Sequence, residues 1–276
     1  MKKWKLSTFL QKVFVYGMAI IFVSPFLISV LLSFKSKQET AKSVLALPEV
    51  LHFENYVEAM EKANIVNSMK NSLVVTTGSV LLVLAVAAMA GYGIARQYHK
   101  KAFRLYESVL MGAMMIPFQT LMIPLYRMYK DLGLLNTRFG AIVLIAGFNM
   151  PFAIMMFIGF IRTLPIELEE AAYLEGCGKA KIFTKIVFPL MKPITVTIAV
   201  LDALWAWNEF NVSLLVLQKN SVKTIPMQQY VFFGEHSSNY NMAFAAAVIS
   251  MIPIVIFFLL CQKHIVEGMT AGAVKG

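Results

Sequence analysis

Two groups of residues in this chain have types and spacings suited to chemistry. The first is the stretch EEAAYLEGCGKAKIFTKIVFPLMKP, Glu169 to Pro193, where Glu169, Glu170 and Glu175 are followed by Lys179, Lys181, Lys185 and Lys192 and the chain is punctuated by Gly176 and Gly178. Charges at that density do not dissolve in lipid, so their use is hydrogen bonding and docking at an aqueous surface. The second is Asp202, Trp205, Trp207, Asn208 and Glu209, polar and aromatic groups inside an otherwise apolar run. Ionisable groups in such runs are costly and face a bundle interior or a water-filled cavity. Nucleotide hydrolysis is not expected. In the P-loop pattern the only match is Gly178-Lys179, where Tyr173 holds the first glycine position and Ala180 that of the hydroxyl residue. His52, His99, His236 and His264 are scattered, and Cys177 and Cys261 are far apart, so no metal or cofactor site is expected in this chain.

The elements that carry these groups follow from composition. The 276 residues are 58% hydrophobic and 14% charged, against about 45–50% and 25% in soluble domains. Six windows approach the roughly 20 apolar residues a membrane helix requires: about Val13 to Phe34, Asn71 to Ala95, Leu105 to Arg127, Phe139 to Ile161, Pro193 to Leu217 and Met242 to Gln262. Pro117, Pro124, Pro151 and Pro253 lie inside them, and the carbonyls they free need neighbouring helices or a hydrated cavity. The first window is longer than a signal-peptide core, so a retained helix is expected. With the N-terminus inside, fifteen of the 25 lysines and arginines fall in cytoplasmic segments, which places both termini in the cytoplasm. The net charge of +10 then reflects topology and contact with anionic lipid, and a nucleic-acid partner is not expected. The expected fold is an all-α membrane protein of six transmembrane helices, one domain over 1–276, with a short helix (Tyr56, Ala59, Met60, Ala63) in the outer segment Lys35 to Lys70.

On this topology the charged stretch lies in the cytoplasm between helices four and five. Leu164 and Pro165 predict a helix start that puts Glu167, Glu169 and Glu170 near the positive end of its dipole. Gly176 and Gly178 predict its end. The result is a rod about 15 Å long at 1.5 Å per residue, with Glu175 and Lys179 at i,i+4 and no broad apolar stripe. Two readings are open: a solvated loop helix, or a rod docked in a groove of another protein. Two readings are also open for the second group. Asp202, Trp205, Glu209 and Val212 at i, i+3, i+7 and i+10 would share one helix face and line a path for a polar solute. Alternatively, Asp202 and Asn208 pair with other helices while the tryptophans sit at the membrane interface.

The spacing Glu170-Ala171-Ala172, three residues, Gly176, nine residues, Ile186, one residue, Phe188-Pro189 resembles the EAA motif of permease subunits in binding-protein-dependent ABC importers, with Phe188 where leucine is usual. NSLVVTTGSV from Asn71, PFQTLMIPLYRMYKDLGLLNT from Pro117, PFAIMMFIGFIRTLPIELEEAA from Pro151, AWNEFNVSLL from Ala206 and GMTAGAVKG from Gly268 are similar to the carbohydrate-uptake group of maltose-permease-like subunits. The resemblance implies that segment 163–189 is a coupling segment for a separate ATPase, with Glu170, Ala171, Ala172, Gly176, Gly178, Ile186 and Pro189 carrying the contact, and that the tail from Thr270 to Gly276 reaches the same partner. It implies a multi-pass subunit of the bacterial inner membrane, non-catalytic, with ATP and magnesium bound by the partner. The implied assembly is a second, homologous permease, two ATP-binding subunits and an external or periplasmic sugar-binding protein. Asp202, Trp205, Asn208 and Glu209 are the candidate path residues. A carrier or channel driven by an ion gradient is the rival reading, although the sequence lacks the inverted repeats that reading expects; a membrane-embedded enzyme is a third.

Overall fold

The computed structural model describes the backbone of residues 2–232 and 239–273 and the side chains of 8–232 and 239–262. Among these residues the regular structure is entirely helical: α1 (Lys2–Ser33), α2 (Lys37–Lys42), α3 (Glu54–Lys62), α4 (Ile65–Arg96), α5 (Lys101–Met114), α6 (Phe118–Asp131), α7 (Arg138–Ile161), α8 (Glu167–Leu174), α9 (Lys179–Ile182), a π-helical turn (Phe183–Val187), α10 (Phe188–Leu190), α11 (Lys192–Trp207), α12 (Asn211–Val216), α13 (Ile225–Gln229), a 3₁₀ turn (Tyr230–Phe232) and α14 (Tyr240–Ala273).

Among the described residues, four helices are long and apolar enough to cross a bilayer: Thr8–Ser33, Ile65–Arg96, Arg138–Ile161 and Tyr240–Gln262. The other two windows are bent pairs. The third does not run straight through its prolines: α5 and α6 meet at 99°. Pro117, with φ −64° and ψ 134°, begins the second piece, because a residue preceding proline is pushed out of the helical region. Pro124, by contrast, stays within α6. In the fifth window, segment Lys179–Leu190 meets α11 at 73°. There the Pro193 ring would clash with the carbonyl four residues back if the helix continued straight. That window also ends early, at Trp207, and Asn208 caps α11 before the separate α12 begins.

The contacts divide the chain into two compact units, Met1–Val66 with Gln228–Ile252, and Asn67–Met227 with Pro253–Gly276. In the first, the C-terminal end of α1 is tied to the expected short helix, which is α3. Asn55 Nδ2 donates to the carbonyls of Ser33 and Lys35, both at 2.9 Å. The Lys35 ammonium, fully buried, donates to Ser43 O at 2.8 Å. Ser36 and Glu39 form a capping box on α2.

In the second unit, α4 and α7 pack against each other around Val83, Ala87, Phe157, Ile158 and Ile161. Gly91 is required at this crossing, since a Cβ there would lie 2.7 Å from Phe157 Cβ. Arg138, at the start of α7, donates to buried Asn71 on α4 at 2.8 Å, and the Asn71 amide donates to Ser221 O and Lys223 O at 3.0 and 2.9 Å. Asn136 adopts a left-handed conformation, φ 58°, and accepts from the N–H groups of Gln218 and Lys219, both at 2.8 Å. These polar nodes hold the loop after α12, and with it the elements that position the second chemical group.

Candidate functional site

The charged stretch folds into a short rod, α8, of eight residues, about 12 Å long. It begins at Glu167, two residues later than Pro165 predicts. Its end is where glycine chemistry puts it. Gly176 has φ +83°, its N–H bonds Tyr173 O at 3.0 Å, and the N–H of Cys177 bonds Ala172 O at 3.0 Å. This pair of bonds is a Schellman cap. Gly178 does not help end the rod. It is extended, φ −73° and ψ 158°, and opens α9. Glu175 is therefore the C-cap of α8 while Lys179 begins α9, and the expected i,i+4 pair does not form on a shared face.

One side of the rod is held inside the protein. Glu169 is 8% exposed and Ala172 7%. Glu169 Oε1 accepts from Arg96 Nε at 2.7 Å and lies 2.7 Å from Arg96 Nη2, while Oε2 accepts from the Tyr92 hydroxyl at 2.7 Å. Arg96 Nη2 also donates to Leu164 O at 3.2 Å. Ala172 packs into the α4/α7 core with Ile161, Ile182 and Val187. Ala172 thus anchors the rod and is not available as surface in this chain, whereas Glu170, Ala171 and Gly176 are exposed. The exposed side also carries apolar groups that the absence of a broad stripe did not anticipate: Leu174 is 87% exposed and Tyr173 67%, with Ile166 and Leu168 exposed as well. Between the rod and the C-terminal end of α4 is a crevice of about 560 Å³ lined by Tyr92, Arg96, Glu169, Glu170, Tyr173 and Lys179. Ile186 is half-buried in the π-helical turn and Pro189 is exposed at the start of α10. Near this end, Arg162 bonds both oxygens of Glu107, at 3.3 and 2.9 Å, and its guanidinium lies 3.9 Å above the Tyr98 ring.

The second group is not one continuous face, because α11 stops at Trp207. Asp202 is buried at 2% exposure. The Asn149 amide lies beside it, but neither Asp202 Oδ2 nor Asn149 Nδ2 completes a well-formed hydrogen bond. Trp205 stands edge-on to Phe152, centroids 4.9 Å apart. Asn208 is exposed and donates to Leu204 O at 2.8 Å. Glu209 has become a cap, its Oε1 accepting from Val212 N at 3.0 Å. The structure brings Trp205 and Glu209 together with Asn149 and Asn211 around a cavity of about 110 Å³, walled by Phe118 and Phe148. Asp202 and Asn208 are not among its lining residues. Aromatic faces beside amide and carboxylate groups can bind hydroxyl-bearing solutes.

Residues 70–271 match the family described as binding-protein-dependent transport system inner membrane component. The chain belongs to this family. It is similar over 253 residues, at 39% identity and 91% coverage of each chain, to the melibiose/raffinose/stachyose import permease protein MelC of Bacillus subtilis. It is 35% identical over 277 residues to the multiple sugar-binding transport system permease protein MsmG of Streptococcus mutans, covering 99% of both chains. Its fold is similar to that of a chain in a bacterial ABC transporter involved in the import of the acidic polysaccharide alginate, with TM-score 0.80, 22% identity, and coverage of 95% of this chain and 98% of that one.

As an inner membrane component of a binding-protein-dependent transport system, the protein is a multi-pass membrane protein. Several residues that build its site were not singled out from the sequence. Glu169 read as one of three acids favouring a helix dipole, and nothing in its spacing announced a partner 73 positions earlier. Tyr92 and Arg96 read as the end of a span, and Arg96 as a topology charge. Asn149 read as part of an apolar window. A polar residue within such a window was the signal that could have found it. Of the tail Thr270 to Gly276, residues up to Ala273 continue α14, and Val274, Lys275 and Gly276 lie outside the described residues, as does His236.

Proposed function

We propose that the chain is the transmembrane permease subunit of an ATP-driven importer of sugars or oligosaccharides. It crosses the membrane six times, each bent pair counting as one broken span, with both termini in the cytoplasm, and 1–276 acts as one permease domain. It pairs with a second, homologous permease to enclose the path, sits on two ATP-hydrolysing subunits, and receives solute from an external binding protein. The sugar class is supported by the names of its full-length relatives, a melibiose/raffinose/stachyose import permease and a multiple sugar-binding transport system permease.

The observation that carries the coupling role is the two-sidedness of α8: Glu169 and Ala172 fasten it to the body, while Glu170, Leu174 and Gly176 face out. A rod fastened on one side and presenting acids and apolar side chains on the other suits a groove in a partner. Closure of the ATPase pair on the rod would move α7 and α11 and switch the path residues Asp202, Trp205, Asn208 and Glu209, of which Trp205 and Glu209 line the cavity, between outside and inside access. ATP and magnesium belong to the partner, and Asn149 and Asn211 join the path residues.

Gly176→Val tests the docking role. Nothing lies within 4 Å of a Cβ at Gly176, so the change does not jam the chain's interior. The left-handed backbone is instead disfavoured by about 1–2 kcal/mol. Uptake into vesicles and co-purification with the ATPase should both fall while membrane insertion stays normal. Full uptake and full assembly by this variant would refute the docking role. Accumulation of solute by the purified chain without any ATP-hydrolysing companion would refute the importer reading as a whole.

A further inference from the structure

The backbone connects the rod to α7 through residues 162–166 and to α11 through α9 and α10. It makes no direct connection to α4. Yet α4 lines, with Leu73, Thr76 and Val80, an apolar cleft of about 270 Å³ whose other walls include Ala199, Ala203 and Trp207 of α11. If α4 did not follow the rod, a push from below would displace α11 along this cleft and leave α4 behind. The polar link between rod and α4 is the cluster at the inner end of α4. There, one Glu169 carboxylate takes Arg96 on Oε1 and the Tyr92 hydroxyl on Oε2, each at 2.7 Å. Arg96 reaches on to Leu164 O at the foot of the rod, and the Tyr92 ring lies 5.2 Å from that of Phe183 in the π-helical turn. Glu169 is too buried for water to replace these partners freely.

We propose that Glu169 is a positioning residue that locks α4 to the rod, so that the stroke delivered to the rod is carried into α4 as well as into α7 and α11. This rests on the importer reading. Within it, Glu170 and Leu174 face the partner, and Glu169 faces inward and works through Arg96 and Tyr92.

The test uses the whole transporter with its ATPase subunits and binding protein in lipid vesicles, and needs no knowledge of the sugar. Spin labels are placed at Met89→Cys on α4 and Lys181→Cys on α9, both exposed, in a background of Cys177→Ala and Cys261→Ala. The distance between them is measured with and without ATP. With Glu169 intact the distance should be the same in both states. In Glu169→Gln, which keeps size and part of the hydrogen bonding, ATP should change or broaden it by at least about 2 Å, the scale of helix shifts in switching proteins, at unchanged ATPase co-purification. The reciprocal exchange Arg96→Glu with Glu169→Arg should restore the constant distance. A constant distance in Glu169→Gln would overturn the proposal. So would failure of the exchange to restore it in a complex that assembles normally, because a Glu169 that instead touched the ATPase would not be rescued from α4. Failure of the intact chain to co-purify with an ATPase, or an intact complex that does not hydrolyse ATP, would be the separate failure of the importer reading.

Discussion

Two glycines on α4, one helical half-turn apart, give a paired experiment on the helix crossing that supports the site. Gly91 faces α7. A Cβ built on it lies 2.7 Å from Phe157 Cβ, 3.4 Å from Ile154 O and 3.5 Å from Ile158 N. Ordinary carbon–carbon contacts are about 3.5–4.0 Å, so Gly91→Ala is about 1 Å short of room. The obstructing atom cannot swing away, because a Cβ is bonded to the backbone and Phe157 is fully buried. The two helices must separate, at an overpacking cost of about 1–3 kcal/mol. Gly93 has nothing within 4 Å of its Cβ position, so Gly93→Ala should gain the roughly 0.5–1 kcal/mol that alanine has over glycine within a helix. That propensity gain is common to both variants, and the difference between them isolates the crossing. At about 2–4 °C per kcal/mol for a chain of this size, their thermal midpoints, followed by circular dichroism in detergent, should differ by roughly 2–12 °C, Gly91→Ala being the lower. Equal midpoints would refute the close approach of α4 and α7 and, with it, the rigid body on which the rod is mounted.

Other outcomes follow from single residues. Leu174→Asp alters a side chain 87% exposed, so the chain's own unfolding should move by less than about 0.5 kcal/mol. Losing burial of a leucine against the partner, about 1.5–3 kcal/mol, should weaken ATPase binding roughly 10- to 150-fold in a pull-down titration; unchanged binding would remove Leu174 from the interface. In the segment between α1 and α3, the N–H groups of Ser36 and Glu49, each 2.7 Å from the Glu39 carboxylate, hold its pKa down to about 2. A carboxyl group whose pKa is depressed on folding contributes above its ordinary value, 4.5, and loses that contribution as pH falls from there through about 2. Amide-exchange protection at Ser36 and Glu49 should therefore hold from neutral pH to 5 and decline below 4.5. Glu39→Gln should abolish that acid dependence; an identical decline in the variant would show that another group is responsible.

Much of the fold was legible because a bilayer imposes a coarse rule. A run of about 20 apolar residues has few options besides crossing, and four of the six windows are helices of that kind. The cap at Gly176 was legible because only local backbone geometry decides it. The breaks were less so. Pro117 and Pro124 stand in the same window, yet the chain turns by 99° before one and runs helically through the other. A proline signals a missing hydrogen bond but not whether its neighbours will supply a substitute. The shared face from Asp202 to Val212 failed for a similar reason: helical spacing assumes an unbroken helix, and Glu209 is used to cap α12 instead.

The sequence by itself determined that this is a helical membrane protein, where its charged rod lies along the chain, and which spacing that rod carries, since each is written in composition and short spacing. Tertiary structure alone decided which acid faces inward. Glu169 and Glu170 are chemically identical neighbours, and helical geometry turns one about 100° from the other. One meets Arg96 and Tyr92 and is buried, while its neighbour is exposed. That choice depends on where α4 ends relative to α8, a relation between residues more than 70 positions apart that local spacing cannot encode.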